Sequence, residues 1–162
     1  MYLLDSNTYI QAKNLHYQMS FCPAYWEWLD MQYQASVIAS IQPVYEELVS
    51  GDDELAAWVK ERKTQFVAVS SDNIQEKFAE IAQYVAEQEG KKHEHIAEFL
   101  AHADPWLIAT AAVNGATVVT HESLVPENST KLKIPNICQV FQVPFLNTFK
   151  LLQDLEARFV LG

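Results

Sequence analysis

Short apolar runs alternate with helical patterns along this chain of 162 residues, and this alternation restricts its possible folds more than any other feature. The runs are rich in β-branched side chains and predict buried strands. Strands are expected at residues 2–4, 36–41, 66–69, 117–120 and 140–143. Between them, apolar residues recur at helical intervals. The pattern predicts an α/β protein: a three-layer α/β/α sandwich around a mainly parallel sheet of four or five strands, with right-handed crossovers.

Caps and helix breakers place the ends of the predicted helices. Ser6 or Asn7 is expected to cap the first helix, and Asp72 with Gln75 resembles a capping box. Helices are expected at residues 7–14, 24–34, 43–49, 53–63, 72–89, 96–102 and 105–114 and from residue 147 onward. The polar stretch 124–135 predicts a loop. No repeat and no linker divides the chain, so residues 1–162 are predicted to form a single domain.

Composition limits the functions to be considered. The chain has 21 acidic and 11 basic residues, a net charge of −10, which repels a polyanion at long range unless the basic residues share one face. Cys22 and Cys138 match no metal-binding spacing and are predicted to be reduced thiols, as expected in the cytoplasm. No apolar run reaches the roughly 18 residues of a membrane span, so no membrane association is expected.

Several carboxylates are predicted at one edge of the sheet. Asp5 ends the first strand, Glu122 follows the fourth, and Asp104 precedes the helix that begins at Pro105. The carboxyl ends of parallel strands share an edge, where α/β sheets bind ligands. Carboxylates gathered without basic partners suit Mg²⁺ or Mn²⁺, which can activate water against a phosphodiester.

Ordinary structural roles compete with the metal-site interpretation. Asp104 directly before Pro105 is also a good helix N-cap. Glu46 and Glu47, on the helix after the second strand, could simply face solvent. An ordinary structural role fits Asp5 least well, because a carboxylate at the end of a buried strand needs a partner or water.

Four motifs, in this order, resemble those of PIN domains, the nucleases that include VapC-type toxins, over roughly residues 1–141. They are Leu4-Asp5-Ser6-Asn7, Tyr45-Glu46-Glu47-Leu48, Asp104-Pro105-Trp106-Leu107-Ile108-Ala109-Thr110-Ala111 and Val118-Val119-Thr120-His121-Glu122.

The resemblance implies a specific site. The PIN acids fall on Asp5, Glu47 (with Glu46 as the adjacent alternative), Asp104 and Glu122, the last replacing the commoner aspartate; Asn7 and Thr120 resemble supporting polar residues. Asp5, Asp104 and Glu122 would be metal ligands. These three acids and Glu47 would all be catalytic.

The resemblance also implies a function and partners. The implied activity is endonucleolytic cleavage of RNA with Mg²⁺ or Mn²⁺ as cofactor. VapC-like proteins are commonly neutralised by an antitoxin protein, so a cognate antitoxin is expected, and a homodimer is a further expectation.

Two alternatives remain open. HAD-type phosphotransferases also begin with a strand and an aspartate, but they expect a second aspartate where this chain has Asn7. A PIN-like module that binds RNA or protein without cutting is the non-enzyme alternative, and Glu122 in place of aspartate keeps it open.

Other polar and aromatic residues have weaker interpretations. Lysines at 13, 91, 92, 131 and 133 are candidate phosphate contacts. His93 and His95 are expected in an exposed connection, and His121 is expected to point away from the site. Tyr25, Trp26 and Trp28 are expected to pack in the core, and they would form an interaction surface only if exposed.

Overall fold

The computed structural model describes residues 1–161, and at its centre is a five-stranded parallel sheet. The strands are β1 (Tyr2–Leu4), β2 (Ile38–Ile41), β3 (Phe66–Val67), β4 (Thr117–Val119) and β5 (Phe145–Leu146). Every neighbouring pair runs parallel, in the order β3-β2-β1-β4-β5. The predicted three-layer α/β fold is therefore confirmed.

Nine α-helices within residues 1–161 flank the sheet. They are α1 (Ser6–Gln11), α2 (Pro23–Gln34), α3 (Gln42–Val49), α4 (Glu54–Lys60), α5 (Asp72–Ala86), α6 (His93–Ala101), α7 (Asp104–Asn114), α8 (Ile134–Val140) and α9 (Thr148–Asp154). A π-helical turn, Ala12–His16, follows α1. No helix in this part of the chain is both long and apolar enough to cross a membrane.

The strand order places β1 at a topological switch point. The chain moves from β1 to β2 and β3 on one side, then crosses back to β4 and β5 on the other. Right-handed crossovers in opposite directions put the earlier and later helices on opposite faces of the sheet. Ligand crevices of open α/β sheets form where the order reverses. The carboxyl ends of β1 and β4 are thus the expected place for a site.

The core around this switch point is close-packed. Leu3 and Leu4 of β1 and Val118 and Val119 of β4 are at most 1% exposed. Fully burying a side chain of this size contributes roughly 1.5–3 kcal/mol to stability. The two strands are therefore a rigid base for the residues that follow them.

Helix α7 packs on the face of the sheet that is covered by the helices after β3. Its Ala109 and Ala111 are buried, and small side chains permit close approach. Trp106 stacks on Phe78 of α5 with ring centroids 3.8 Å apart, so α7 is held from the outside as well. The first turn of α7 is thereby fixed near the end of β1.

The prediction of the last strand was wrong. Residues 140–143 contain the end of α8 and a turn in which Gln142 has a φ of 57°. Pro135 lies in the first turn of α8, so the expected loop 124–135 stops at the start of a helix. The final strand is β5, which begins after Pro144.

Several predicted helix ends were also wrong. Asp5, not Ser6 or Asn7, caps α1, and Ser71, not Asp72, caps α5. In each case the capping oxygen lies one or two positions earlier in the chain than predicted, because the helix itself starts earlier. Residues 93–95 belong to α6 rather than to an exposed connection.

The aromatic residues of α2 are in the core. Tyr25, Trp26 and Trp28 are at most 9% exposed, as the packing interpretation predicted. Tyr25 stacks on Tyr17 with ring centroids 4.4 Å apart, and Phe159 contacts both rings edge-on. These aromatics therefore do not offer an interaction surface.

Candidate active site

A pocket of about 390 Å³ opens at the carboxyl ends of β1 and β4, and the four predicted acids line it. We call it the acidic pocket. Its lining residues are Asp5, Ser6, Asn7, Ile10, Glu47, His95, Glu98, Phe99, His102, Asp104, Glu122, Lys131, Leu132 and Lys133. The four acids come from four separate parts of the chain, so only the fold brings them together.

Asp5 lies at the buried end of the pocket and is 3% exposed. Its Oδ2 accepts a hydrogen bond of 2.9 Å from Thr120 Oγ1, and its Oδ1 accepts one of 3.4 Å from the Asn7 amide. Burial raises the pKa of Asp5 to about 6, and the charges of Glu122 and Glu47 act in the same direction. The Thr120 hydrogen bond lowers this pKa and keeps the carboxylate oriented.

Asp104 occupies the first turn of α7 but does not cap it. The N-cap is Ala103, whose backbone amide donates to Glu47, so the N-cap interpretation of Asp104 was wrong. Within residues 1–161 the Asp104 carboxylate accepts no hydrogen bond. Burial raises its pKa to about 8, followed by repulsion from Asp5, Glu122 and Glu47. Its charge therefore lacks a local partner, although Lys133 lowers the pKa in part.

Glu47 joins three parts of the site. Its Oε2 accepts a hydrogen bond of 2.6 Å from Ser6 Oγ, and its Oε1 accepts one of 2.8 Å from the Ala103 amide. Its neighbour Glu46 is exposed, accepts from Gln42 on its own helix and does not line the pocket. The geometry therefore selects Glu47 over Glu46.

Glu122 is held by two contacts. Its backbone amide donates to Thr120 Oγ1 at 3.1 Å, and its Oε1 accepts from the Ile134 amide at the start of α8, also at 3.1 Å. Thr120 therefore connects Asp5 with Glu122. The longer glutamate side chain is used to reach α8.

The metal-site hypothesis can be tested against this donor set. Within residues 1–161 no three His, Cys, Asp or Glu side chains are placed close enough to hold an ion together. Carboxylate oxygens are the donor type that Mg²⁺ and Mn²⁺ prefer. The four acids thus have suitable donor chemistry, but in the described part of the chain their arrangement does not form a ligand set.

Helix α6 and the residue after it supply pocket residues that the sequence prediction missed. His95 and Glu98 of α6 line the pocket, and so does His102, the C-cap, whose Nδ1 lies 3.9 Å from Glu47 Oε1. His95 and Glu98 are three residues apart and share a helical face. His95 was missed because the helix was expected to begin only at Ile96, whereas no sequence pattern distinguished Glu98 and His102 from solvent-facing residues.

The candidate phosphate-binding lysines separate into two groups. Lys131 and Lys133 line the acidic pocket. Lys13 pairs with Asp53 at 3.1 Å, and Lys91 Nζ donates to the Ser129 carbonyl at 2.6 Å. Lys92 is exposed and lines no part of the pocket.

His121 points away from the acidic pocket, as expected. Its Nε2 lies 2.9 Å from Thr148 Oγ1 at the start of α9. Burial lowers the pKa of His121, and nearby His16 adds to the effect. Of the His93–His95 pair, only His95 reaches the acidic pocket.

Fold and site together define an α/β protein with a carboxylate-lined pocket at the switch point of a parallel sheet. The chain belongs to the family described as a domain of unknown function, DUF4411, whose model matches residues 2–159. A comparison with curated proteins finds no match.

Proposed function

We propose that this protein is a metal-dependent endoribonuclease of the PIN type. The observation that carries the proposal is the convergence of Asp5, Glu47, Asp104 and Glu122 in the acidic pocket at the switch point. The motif resemblance adds the reaction and the substrate: hydrolysis of RNA phosphodiesters.

The four acids would have different roles. Asp5 and Asp104 would be the principal ligands of Mg²⁺ or Mn²⁺, with Glu122 as a further ligand and Glu47 positioning the first turn of α7. A bound cation would supply charge stabilisation at the phosphoryl group and a more acidic water. Thr120 would hold Asp5 in its binding orientation through their hydrogen bond.

The proposal includes the biological setting implied by the same resemblance. The protein would be the toxin of a toxin–antitoxin pair, inhibited by a cognate antitoxin protein, and could act as a homodimer. Expression of the chain with and without the neighbouring gene tests this part: growth inhibition relieved by that gene is the expected result.

A binding module without nuclease activity is the second candidate. It is favoured by the hydrogen bonds that already occupy Glu47 and Glu122 and by the lack, within residues 1–161, of three side chains ready to hold an ion. In this case the acidic pocket would be a remnant of a catalytic site.

Two measurements separate the candidates. We expect Mn²⁺-dependent cleavage of RNA by the wild-type protein and none by Asp5→Asn or Asp104→Asn, with unchanged circular dichroism. Asp52→Asn, an exposed change outside the pocket, is the matched control and should cleave normally. Unchanged cleavage by both site variants would refute the assigned site.

The second measurement is anomalous diffraction from crystals soaked in Mn²⁺. A peak between Asp5 and Asp104 is expected for the nuclease. An empty pocket at saturating Mn²⁺, together with RNA that binds but remains intact, would favour the binding module.

A further inference from the structure

A second groove runs beside the acidic pocket and shares Lys131 and Leu132 with it. We call it the lateral groove. It lies between α5 and α8, and its polar lining includes Tyr84, Gln88, Lys91, Lys131, Asn136 and Gln139. The two cavities therefore adjoin at Lys131 and Leu132.

The charge changes where the two cavities meet. Five carboxylates and two lysines line the acidic pocket, whereas Glu127 is the one acid against Lys91 and Lys131 in the lateral groove. A polyanion is repelled by the first lining but not by the second. In a chain with a net charge of −10, this local balance is unusual.

Lys131 is available for a ligand at this junction. Within residues 1–161, neither Lys131 nor Lys133 has a carboxylate within 4.0 Å of its ammonium group. By contrast, Lys13, Arg62, Lys77 and Lys150 are held in ion pairs elsewhere on the surface. Of these two lysines, Lys131 lines both cavities and Lys133 lines the acidic pocket alone.

The far wall of the lateral groove is fixed in advance. Asn136 bonds both the amide and the carbonyl of Val125, at 3.0 and 2.8 Å, and Lys91 holds the Ser129 carbonyl at 2.6 Å. His95 Nδ1 lies 2.7 Å from the Thr130 carbonyl. These contacts order the loop that carries Lys131, so a ligand would not have to do so.

The opposite wall offers contacts suited to nucleotides. Tyr84 is half-buried beside Phe141, with ring centroids 5.8 Å apart, and can present part of its ring to a base. Gln139 is exposed on α8 and can hydrogen-bond a base edge or a ribose hydroxyl. The groove combines cationic, aromatic and amide groups, the usual means of binding a single strand.

We propose that the lateral groove binds the single-stranded RNA segment that flanks the phosphodiester held in the acidic pocket, with Lys131 contacting the phosphate at the junction. This inference rests on the proposed function. It adds a second binding surface for the RNA outside the acidic pocket and a direction for the strand, toward α5 and α8.

The test is a binding measurement in which cleavage plays no part. Fluorescence anisotropy would follow labelled single-stranded RNA of about ten nucleotides, and a labelled dinucleotide, on the Asp104→Asn protein. Lys131→Glu should weaken binding of the longer RNA by about tenfold at low salt, and Gln139→Glu by about threefold. Gln139→Glu should leave dinucleotide binding unchanged, because Gln139 lies outside the acidic pocket.

Matched changes elsewhere control for overall charge. Lys60→Glu and Gln34→Glu alter exposed residues that line neither cavity and should leave the affinity for the longer RNA within about twofold. Longer RNA that binds equally well to the groove variants and their controls, or that does not bind at all, would overturn the proposal.

A second assay separates an error about RNA binding in the lateral groove from an error about the proposed nuclease activity. Mn²⁺-dependent hydrolysis of bis(p-nitrophenyl) phosphate reports on the acidic pocket alone, since this small diester cannot reach the groove. Activity on that diester with no effect of the groove variants on RNA binding would reject only the groove.

Discussion

Thr120 Oγ1 donates a hydrogen bond of 2.9 Å to Asp5 Oδ2, linking the carboxyl ends of β4 and β1. The same hydroxyl oxygen accepts a hydrogen bond from the Glu122 amide. One buried side chain thus positions the acids at both strand ends.

Replacing this hydroxyl should affect both stability and ionisation. We expect Thr120→Val to reduce the free energy of unfolding by about 1–3 kcal/mol, because Asp5 loses a buried donor. The pKa of Asp5 should rise further above 6, since the hydrogen bond lowers it. Urea unfolding and NMR titration of the Asp5 carboxyl measure the two effects. Thr117→Val, at the far end of β4, is the control, and an unchanged Asp5 pKa in Thr120→Val would contradict this role.

The contribution of Asp5 and Asp104 to stability should fall as the pH rises from about 4 to about 8, while that of His121, whose pKa is lowered by burial, changes in the opposite direction. The pKa values of Asp5 and Asp104 are raised in the folded protein, to about 6 and about 8 from 3.8, so the folded state binds more protons than the unfolded state in this interval. The resulting stabilisation is complete below about pH 4 and is lost as the pH passes the folded pKa values. Asp104→Asn should remove the part of the decline nearest pH 8 and therefore raise the free energy of unfolding there relative to the wild type. Thermal unfolding across this range is the measurement; an identical decline in wild type and variant would contradict the assignment.

Glu47 should matter for folding as well as for chemistry. Glu47→Ala leaves the Ala103 amide and the Ser6 hydroxyl without their acceptor and should cost about 1–3 kcal/mol. Glu47→Gln keeps one acceptor oxygen and should cost less. Chemical denaturation of the two variants tests this order, with Glu46→Ala as the exposed neighbour expected to have little effect. Equal losses for Glu47→Ala and Glu46→Ala would show that Glu47 does not hold α7.

The hydrogen bond to the Ile134 amide explains why position 122 is a glutamate rather than an aspartate. Aspartate there is one methylene shorter, so Glu122→Asp should lose the hydrogen bond to the Ile134 amide and cost about 0.5–1.5 kcal/mol. Glu122→Gln retains an acceptor oxygen and should be close to wild type. Hydrogen exchange at Ile134 reports on the contact directly, and equal protection in Glu122→Asp and wild type would argue against it.

The sequence was sufficient to predict four of the five strands and the four acids that line the acidic pocket. Asp5 and Glu122 follow strands whose composition is unmistakable, and parallel pairing of β1 with β4 places their ends together. The helix start at Pro105 indicated Asp104, and the motif order favoured Glu47 over Glu46. Periodicity and strand ends thus carried the part of the prediction that depends on local sequence.

The rest depends on contacts between distant residues. Nothing near Asp104 in the sequence indicates that Glu47, on another helix, accepts the Ala103 amide in its place. The last strand was misplaced because residues 140–143 are apolar enough for a strand, whereas Pro135 and the turn at Gln142 make them the end of a helix and its exit. These errors arose where tertiary contacts or turn geometry outweigh local pattern.

The register of β1 against β4 has a consequence for synthesis. Leu3 pairs with Val118, more than a hundred positions later, so β1 cannot complete its pairing until β4 has left the ribosome. Asp104, Glu122 and Ile134 lie close to β4 in the sequence. In a nascent chain, Asp5 and Glu47 would therefore stay apart from the other two acids until the segment up to Ile134 has been synthesised.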